Sequence, residues 1–321
     1  MTDSPSFAGH RIAVLVPCYN EERTIADVVA AFRAALPMAE IYVYDNNSRD
    51  RTVEAARKAG AIVRSETLQG KGNVVRRMFA DIEADAYVMV DGDNTYHAPS
   101  APTLVAKLLD ERLDMVVGAR VDTEVAAYRP GHRLGNKMLT GFVAQLFGER
   151  FKDILSGYRV FSRRYVKSFP ALAKGFETET ELTVHALELR MPVTEMPTPY
   201  GARPEGSASK LNTYRDGWRI LMLILRLFRE ERPLQFFGYL AAFLFVLSLL
   251  ISIPVIVTYL ETGLVPRLPT AVLSTGVMLL AFLSLVCGLI LDTVTRGRRE
   301  LRRLSYLAIP ATGRAEGANQ R

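Results

Sequence analysis

Between Arg11 and Val90 the chain alternates two hydrophobic periods. Short, continuous apolar runs, RIAVLVP (11–17), IYVYD (41–45), AIVR (61–64) and AYVMV (86–90), are separated by longer segments with apolar positions every three or four residues. In EERTIADVVAAFRAAL, Ile25, Val28, Val29, Phe32 and Leu36 share one helical face. SRDRTVEAARKAG is read as a second helix, with Ser48 as N-cap and Gly60 as C-cap, and GKGNVVRRMFADI as a third. Buried strands give the first pattern and amphipathic helices the second. Their repetition predicts an α/β fold, a mostly parallel sheet covered by helices on both faces.

From residue 131 the pattern changes. GHRLGNKMLTGFVAQLFGERF places Leu134, Met138, Phe142, Leu146 and Phe147 near one helical face, and DGWRILMLILRLFREERP is more strongly amphipathic. The second runs directly into a span, which favours a helix lying on a membrane surface; for the first, an ordinary core helix is an equal reading. No charged side chain occurs from Pro233 to Leu260 or from Leu268 to Leu291, and each run is long enough to cross a bilayer. The N-terminus lacks the basic, apolar and cleavage regions of a signal peptide. The expected organisation is an α/β domain over 1–212, an interfacial helix over 213–232, a transmembrane hairpin over 233–292 with spans near 234–260 and 268–291, and a basic tail over 293–321, frayed after about 305.

Charge placement orients the hairpin. The net charge is +6, and arginines cluster on both flanks: Arg215, Arg219, Arg226, Arg229 and Arg232 before the first span, Arg296, Arg298, Arg299, Arg302 and Arg303 after the second. The connecting ETGLVPR loop carries only Arg267 against Glu261. Positive residues stay cytoplasmic, so the α/β domain and both termini are expected at the cytoplasmic face of the inner membrane. Beside spans, these arginines suit lipid headgroups rather than nucleic acid. The two cysteines, Cys18 and Cys287, fall in different regions and exclude a disulfide framework.

Parallel sheets bind ligands at the carboxyl ends of their strands. The loops there are PCYNEE, DNNSRD, ETLQGKG and DGDNTY, all polar. Asp91 and Asp93 are two apart; on a strand both would face one way and could share Mg²⁺ or Mn²⁺, which bridges phosphates. Asp45 ends another strand and could accept from a ribose hydroxyl or a base. Tyr19, Asn20 and Glu21 could pack against a base, although Asn20 and Ser48 also read as helix caps. Neither Gly-x-Gly-x-x-Gly nor a P-loop is present.

The ordered segments VPCYNEE, YDNNSRDRT, GKGNVVR, DGDNTY, GAR, DILSGYRVFSRR and RPEGSASKLNTYRDGWRIL resemble family 2 glycosyltransferases of the polyprenyl-phosphate branch, the group of dolichyl-phosphate mannose synthase and the undecaprenyl-phosphate glucosyltransferases. The resemblance spans roughly residues 10–232. It implies a GT-A fold that takes a nucleotide-sugar donor and, with inversion, passes the hexose to a polyprenyl-phosphate acceptor. By motif, Pro17, Tyr19, Glu21, Asp45, Lys71 and Asp91 would bind the nucleotide-sugar, and Asp91 and Asp93 the metal. Arg120 and Arg133 would meet the acceptor phosphate and, with Asp93, serve catalysis. Arg203, Ser209 and Lys210 belong to a loop resembling one that closes over the donor, with Ser209 placed toward the acceptor phosphate. Thr95 stands where some relatives carry glutamine.

A phosphate acceptor needs no strong base, because its second pKa near 6 leaves it largely dianionic at neutral pH. A hydroxyl acceptor would need a carboxylate, and Glu177, Glu179 and Glu181 in FETETEL are the candidates; a positioning role for them ranks higher. Asp153 is read either as orienting an acceptor-side arginine or as a turn residue. Two alternatives stay open: a family 2 enzyme acting on a glycan hydroxyl, and an inactive nucleotide-binding membrane scaffold. Sugar identity, UDP against GDP, and homo-oligomerisation are open as well.

Overall fold

The computed structural model describes residues 7, 9–122, 138–145, 151–171, 177–201 and 213–310, apart from the side chains of 122 and 213–220. In chain order the elements are β1 (Ile12–Cys18), α1 (Ile25–Ala35), β2 (Glu40–Asp45), α2 (Thr52–Lys58), β3 (Ile62–Ser65), α3 (Lys71–Asp81), β4 (Ala86–Met89), a 3-10 turn (Ala98–Ser100), α4 (Ala101–Asp110) and β5 (Met115–Asp122). After α5 (138–145) come β6 (Arg159–Ser162), α6 (Arg163–Ser168), α7 (Thr178–Glu188), β7 (Val193–Tyr200), α8 (Thr213–Glu231), α9 (Pro233–Thr262) and α10 (Leu268–Leu307). They fall into two compact units, Met1–Gly217 with Arg302–Arg321, and Trp218–Leu301.

The first unit holds one seven-stranded sheet in the order β3-β2-β1-β4-β6-β5-β7. All neighbours pair in parallel except β6, which runs antiparallel to both β4 and β5. Six strands therefore end at one edge, and β6 starts there. Met89 pairs with Arg159 and Val117 with Arg159, so the SGY segment preceding β6 lies between the ends of β4 and β5. Periodicity did not reveal this reversed strand; RVFS is too short and carries a buried arginine. The predicted face of α1 is the buried one: Ile25, Val28, Val29 and Phe32 pack into the core with Val14, Val16 and Val88.

Two predicted caps fail for a tertiary reason. Ser48 does not cap α2, whose N-cap is Arg51; its hydroxyl instead accepts from the Asn20 amide at 2.9 Å. Asn20, at φ 56°, spends its carbonyl oxygen on the Arg49 amide at 2.8 Å. The two loops bond to each other rather than to their own helices. Gly60 does terminate α2, in the left-handed region at φ 88°. In α5 the buried residues are Leu139 and Val143, while Met138 is exposed, so the face predicted through Met138 is not the packed one. Leu134, Leu146 and Phe147 lie outside the described residues.

In the second unit, α9 and α10 are long and apolar enough to cross a membrane, each holding an 18-residue stretch of high mean hydropathy, 2.8 and 2.4 respectively. They pack through small residues: Ser274, Ala281, Gly288 and Thr295 are the buried positions of α10, seven apart, and Ala241 and Ser248 are buried on α9. Ser248 donates to the Ser274 carbonyl at 2.7 Å. Gly288 admits the close approach, since a Cβ there would lie 3.0 Å from Phe237 Cβ. α8 (Thr213–Glu231) forms a helix over the segment expected as the amphipathic one.

α10 does not stop where its apolar run ends. It has 40 residues, about 60 Å at 1.5 Å per residue, twice a bilayer core. The tail expected to fray after about 305 stays helical to Leu307, and its end belongs to the first unit. Arg302 Nη1 pairs with Glu188 at 2.6 Å, and the Tyr306 hydroxyl donates to Asp114 Oδ2 at 2.7 Å. Arg164 clamps the same carboxylate at 2.8 and 2.9 Å and stacks over the Tyr306 ring.

Candidate active site

The site forms where β1, β2 and β4 end beside the start of β6. Its loops are stapled together by side chains. Asn46, after β2, donates to the carbonyls of Glu66 and Leu68 and accepts from the Gly70 amide at 2.7 Å. Thr52 Oγ1 accepts from the Glu21 amide at 2.8 Å, and Thr24 Oγ1 donates to the Gly92 carbonyl at 2.6 Å. Asp45 is buried, and the Ser48 amide donates to its carboxylate at 3.2 and 3.3 Å. Pro17, Tyr19 and Glu21 line the end of β1, each half-buried.

At the centre is an ion triad. Lys71, the first residue of α3, points its Nζ at Asp91 Oδ1 and Glu179 Oε1, each 2.5 Å away. Gly70 sets this entry with φ 129°, a backbone state that favours glycine. Burial would push the Lys71 ammonium toward neutrality, but the two carboxylates outweigh it and hold the lysine charged well above its ordinary range. Of the three glutamates in FETETEL, Glu179 is the one in this triad; Glu177 is exposed.

Asp91 and Asp93 differ from the expectation of two carboxylates on one strand face. β4 ends at Met89 and the aspartates lie in the turn beyond, with Asn94 at φ 56°. No pleat aligns them. The Asp91 side chain is 30% exposed, whereas Asp93 is buried and accepts from Thr95 Oγ1 at 2.7 Å. Gly92 between them sits on Cys18: a Cβ would lie 2.7 Å from its Sγ. Burial first, then the surrounding carboxylates of Glu21, Asp45, Asp91 and Asp93, push the Cys18 thiol far up.

Arg120 of β5 is bound by Asp153, Nε to Oδ2 at 2.7 Å and Nη2 to Oδ1 at 2.8 Å. The guanidinium also lies over the Tyr200 ring, 5.5 Å from its centroid. Despite burial, these bonds hold the Asp153 carboxyl below the usual carboxylate range. Of the two readings of Asp153, the structure therefore favours orientation of the arginine. Arg133, Arg203, Ser209 and Lys210 lie outside the described residues.

Two participants escaped the sequence reading. Gly157 backs Asp91, and its amide donates to the Tyr96 hydroxyl at 2.9 Å. Arg159 is fully buried and bonds the Ser156 and Ile154 carbonyls and Thr183 Oγ1; Thr183 in turn donates to the Glu179 carbonyl at 3.1 Å. It thereby joins the helix of Glu179 to the loop of Asp153. Burial lowers its pKa. The signal was the SGYR string itself, an arginine at the mouth of an apolar strand.

The acidic turn fits a divalent ion. Among the described residues no three acidic, histidine or cysteine side chains converge, yet Mg²⁺ and Mn²⁺ need only one or two carboxylates when substrate phosphates supply the rest. The Lys71 ammonium marks Asp91 as a point where positive charge is stabilised.

The strand order and acid-rich strand edge define a GT-A-type α/β domain. The chain belongs to glycosyl transferase family 2, whose profile matches residues 13–169. It is 56% identical over 155 residues to an uncharacterized protein of Shigella flexneri, covering 48% of this chain and 95% of the other. It is 38% identical to glycosyltransferase AglJ of Haloferax volcanii (71% and 75% covered), and 28% identical to a dolichyl-phosphate hexose transferase of that organism (69% and 95%). Among solved structures, glucosyl-3-phosphoglycerate synthase from Mycobacterium tuberculosis, in complex with Mn²⁺ and UDP-glucose, superposes with a TM-score of 0.56 at 26% identity, over 69% of this chain and 79% of that one.

Proposed function

We propose that this glycosyltransferase moves a hexose from a UDP- or GDP-linked donor to a polyprenyl phosphate, with undecaprenyl phosphate as the expected lipid. The observation that carries this reading is the Asp153-braced Arg120 standing at the same strand edge as Asp91, in a chain with two membrane-length apolar helices. The resemblance to a dolichyl-phosphate hexose transferase supports the lipid acceptor. The Mn²⁺ and UDP-glucose of the structural neighbour support the donor class.

The chemistry is an in-line displacement. An acceptor phosphate oxygen attacks the anomeric carbon, the bond to the donor diphosphate breaks, and the configuration inverts. The acceptor arrives as a dianion, so no side chain must remove a proton. Arg120 and Arg133 clamp and orient it, while Asp45, Tyr19, Pro17 and Glu21 hold the nucleotide. Arg203 and Lys210 are assigned to the donor and Ser209 to the acceptor phosphate. A divalent ion held by Asp91 and Asp93 would supply charge neutralisation for the departing diphosphate. A hydroxyl acceptor would need a carboxylate such as Glu179 as base, and Glu179 is instead engaged by the Lys71 ammonium at 2.5 Å.

The prenyl tail stays in the bilayer, each buried CH₂ being worth about 0.8 kcal/mol, so the site must work at headgroup level. The arginine-rich flanks of the two apolar helices support a cytoplasmic catalytic side.

The test uses membranes containing the full chain, labelled UDP- and GDP-sugars, and undecaprenyl phosphate. Labelled lipid-linked sugar is expected, lost with EDTA and in a folded Asp93→Ala variant. Unaltered turnover of that variant refutes the metal role; label appearing only in glycan supports the hydroxyl-acceptor alternative.

A further inference from the structure

Lys71 does more than line the donor pocket. Its ammonium sits on Asp91 Oδ1, an oxygen expected to serve the divalent ion, and on Glu179 Oε1. Three features make this a built arrangement. The lysine side chain is only 19% exposed and Glu179 only 8%. Its backbone is fixed by Gly70, whose amide is held by Asn46. Gly157 packs directly behind Asp91, so that a Cβ there would lie 2.5 Å from Oδ2 and displace the carboxylate. Two carboxylates brought this close repel unless a cation lies between them.

We propose that Lys71 is a built-in counter-ion of Asp91 and Glu179 and competes with the divalent metal for Asp91. Metal bound with the donor takes Asp91 over, and Lys71 retains Glu179. The consequence is ordered loading. Metal alone must displace a buried ion pair and binds weakly. Metal arriving with a nucleoside diphosphate brings its own phosphate ligands and repels the lysine from the carboxylate. The enzyme thus avoids trapping a bare ion in its acidic turn. The inference rests on the metal-dependent reading of the site, and its test reads metal binding rather than turnover.

The experiment titrates the full-length detergent-solubilised protein with Mn²⁺, following free Mn²⁺ by EPR, without nucleotide and then with UDP or GDP. Lys71→Met and Lys71→Gln remove the charge; the glutamine keeps hydrogen-bonding capacity toward both carboxylates and guards against loss of fold, which circular dichroism checks. Either folded variant is expected to bind Mn²⁺ alone at least about tenfold more tightly than wild type, the scale of one partly buried charge interaction. The gain should vanish in Lys71→Gln with Asp91→Asn. With nucleotide present, the gap between variant and wild type should narrow. Equal or weaker Mn²⁺ binding by the folded variants overturns the proposal even if wild type transfers sugar. Tighter binding in a protein that transfers no sugar supports the proposal and counts against the assigned function.

Discussion

Gly157 stands against Asp91 so closely that a Cβ on it would lie 2.5 Å from the aspartate's Oδ2. The atom it would strike is the tip of a half-exposed side chain, not backbone, so Asp91 can swing aside. Gly157→Ala should leave the protein folded, with a stability loss of about 1 kcal/mol, yet lower sugar transfer at least tenfold by displacing Asp91. Thermal unfolding beside a transfer assay checks this. Unchanged transfer would mean that the position of Asp91 does not matter.

Asp153 holds Arg120 in two parallel bonds. Asp153→Asn should raise the KM for the lipid phosphate well above any change in the donor KM, because the guanidinium loses its orientation. The loss of stability should be about 2 kcal/mol at pH 7. The folded-state pKa of Asp153 is depressed, so its contribution is complete above the unfolded value near 4 and fades as pH falls through the lower folded value. Denaturation curves of wild type and variant should therefore converge only in that acid range.

His185 on α7 is buried between the Tyr165 and Phe169 rings. Burial, and secondarily Arg302, lower its pKa to about 3. The unfolded chain binds a proton near pH 6.5 that the folded chain refuses, so stability declines as pH falls from about 6.5 toward 3. His185→Gln should flatten that slope in a urea titration series between pH 7 and 4, though its stability at pH 7 is lower.

Tyr306 and Arg302, at the end of α10, engage Asp114 and Glu188. Tyr306→Phe leaves a buried carboxylate short of one donor and should cost about 1 kcal/mol, a Tm fall of roughly 2–4 °C in a domain of this size. Truncation after Leu301 removes both contacts and should cost more. Equal melting of full-length and truncated protein would show that the clasp contributes nothing.

Sequence alone determined what depends on local order. Alternating periods fixed β1, α1, β2, α2, β3, α3 and β4, and hence the edge on which Asp45 and Asp91 fall; uninterrupted apolar length marked α9 and the first half of α10. These follow from burial and helical or pleated repeat, which any short window carries. Tertiary structure decided the rest. Only the reversed β6 brings Gly157 against Asp91, and only the packing of α7 sets Glu179, more than a hundred residues away, beside Lys71. Asn20 and Ser48, legible as caps, were claimed by each other's loops. A side chain's partner is set by which surfaces meet in space, and residues far apart in sequence meet only once the whole sheet has closed.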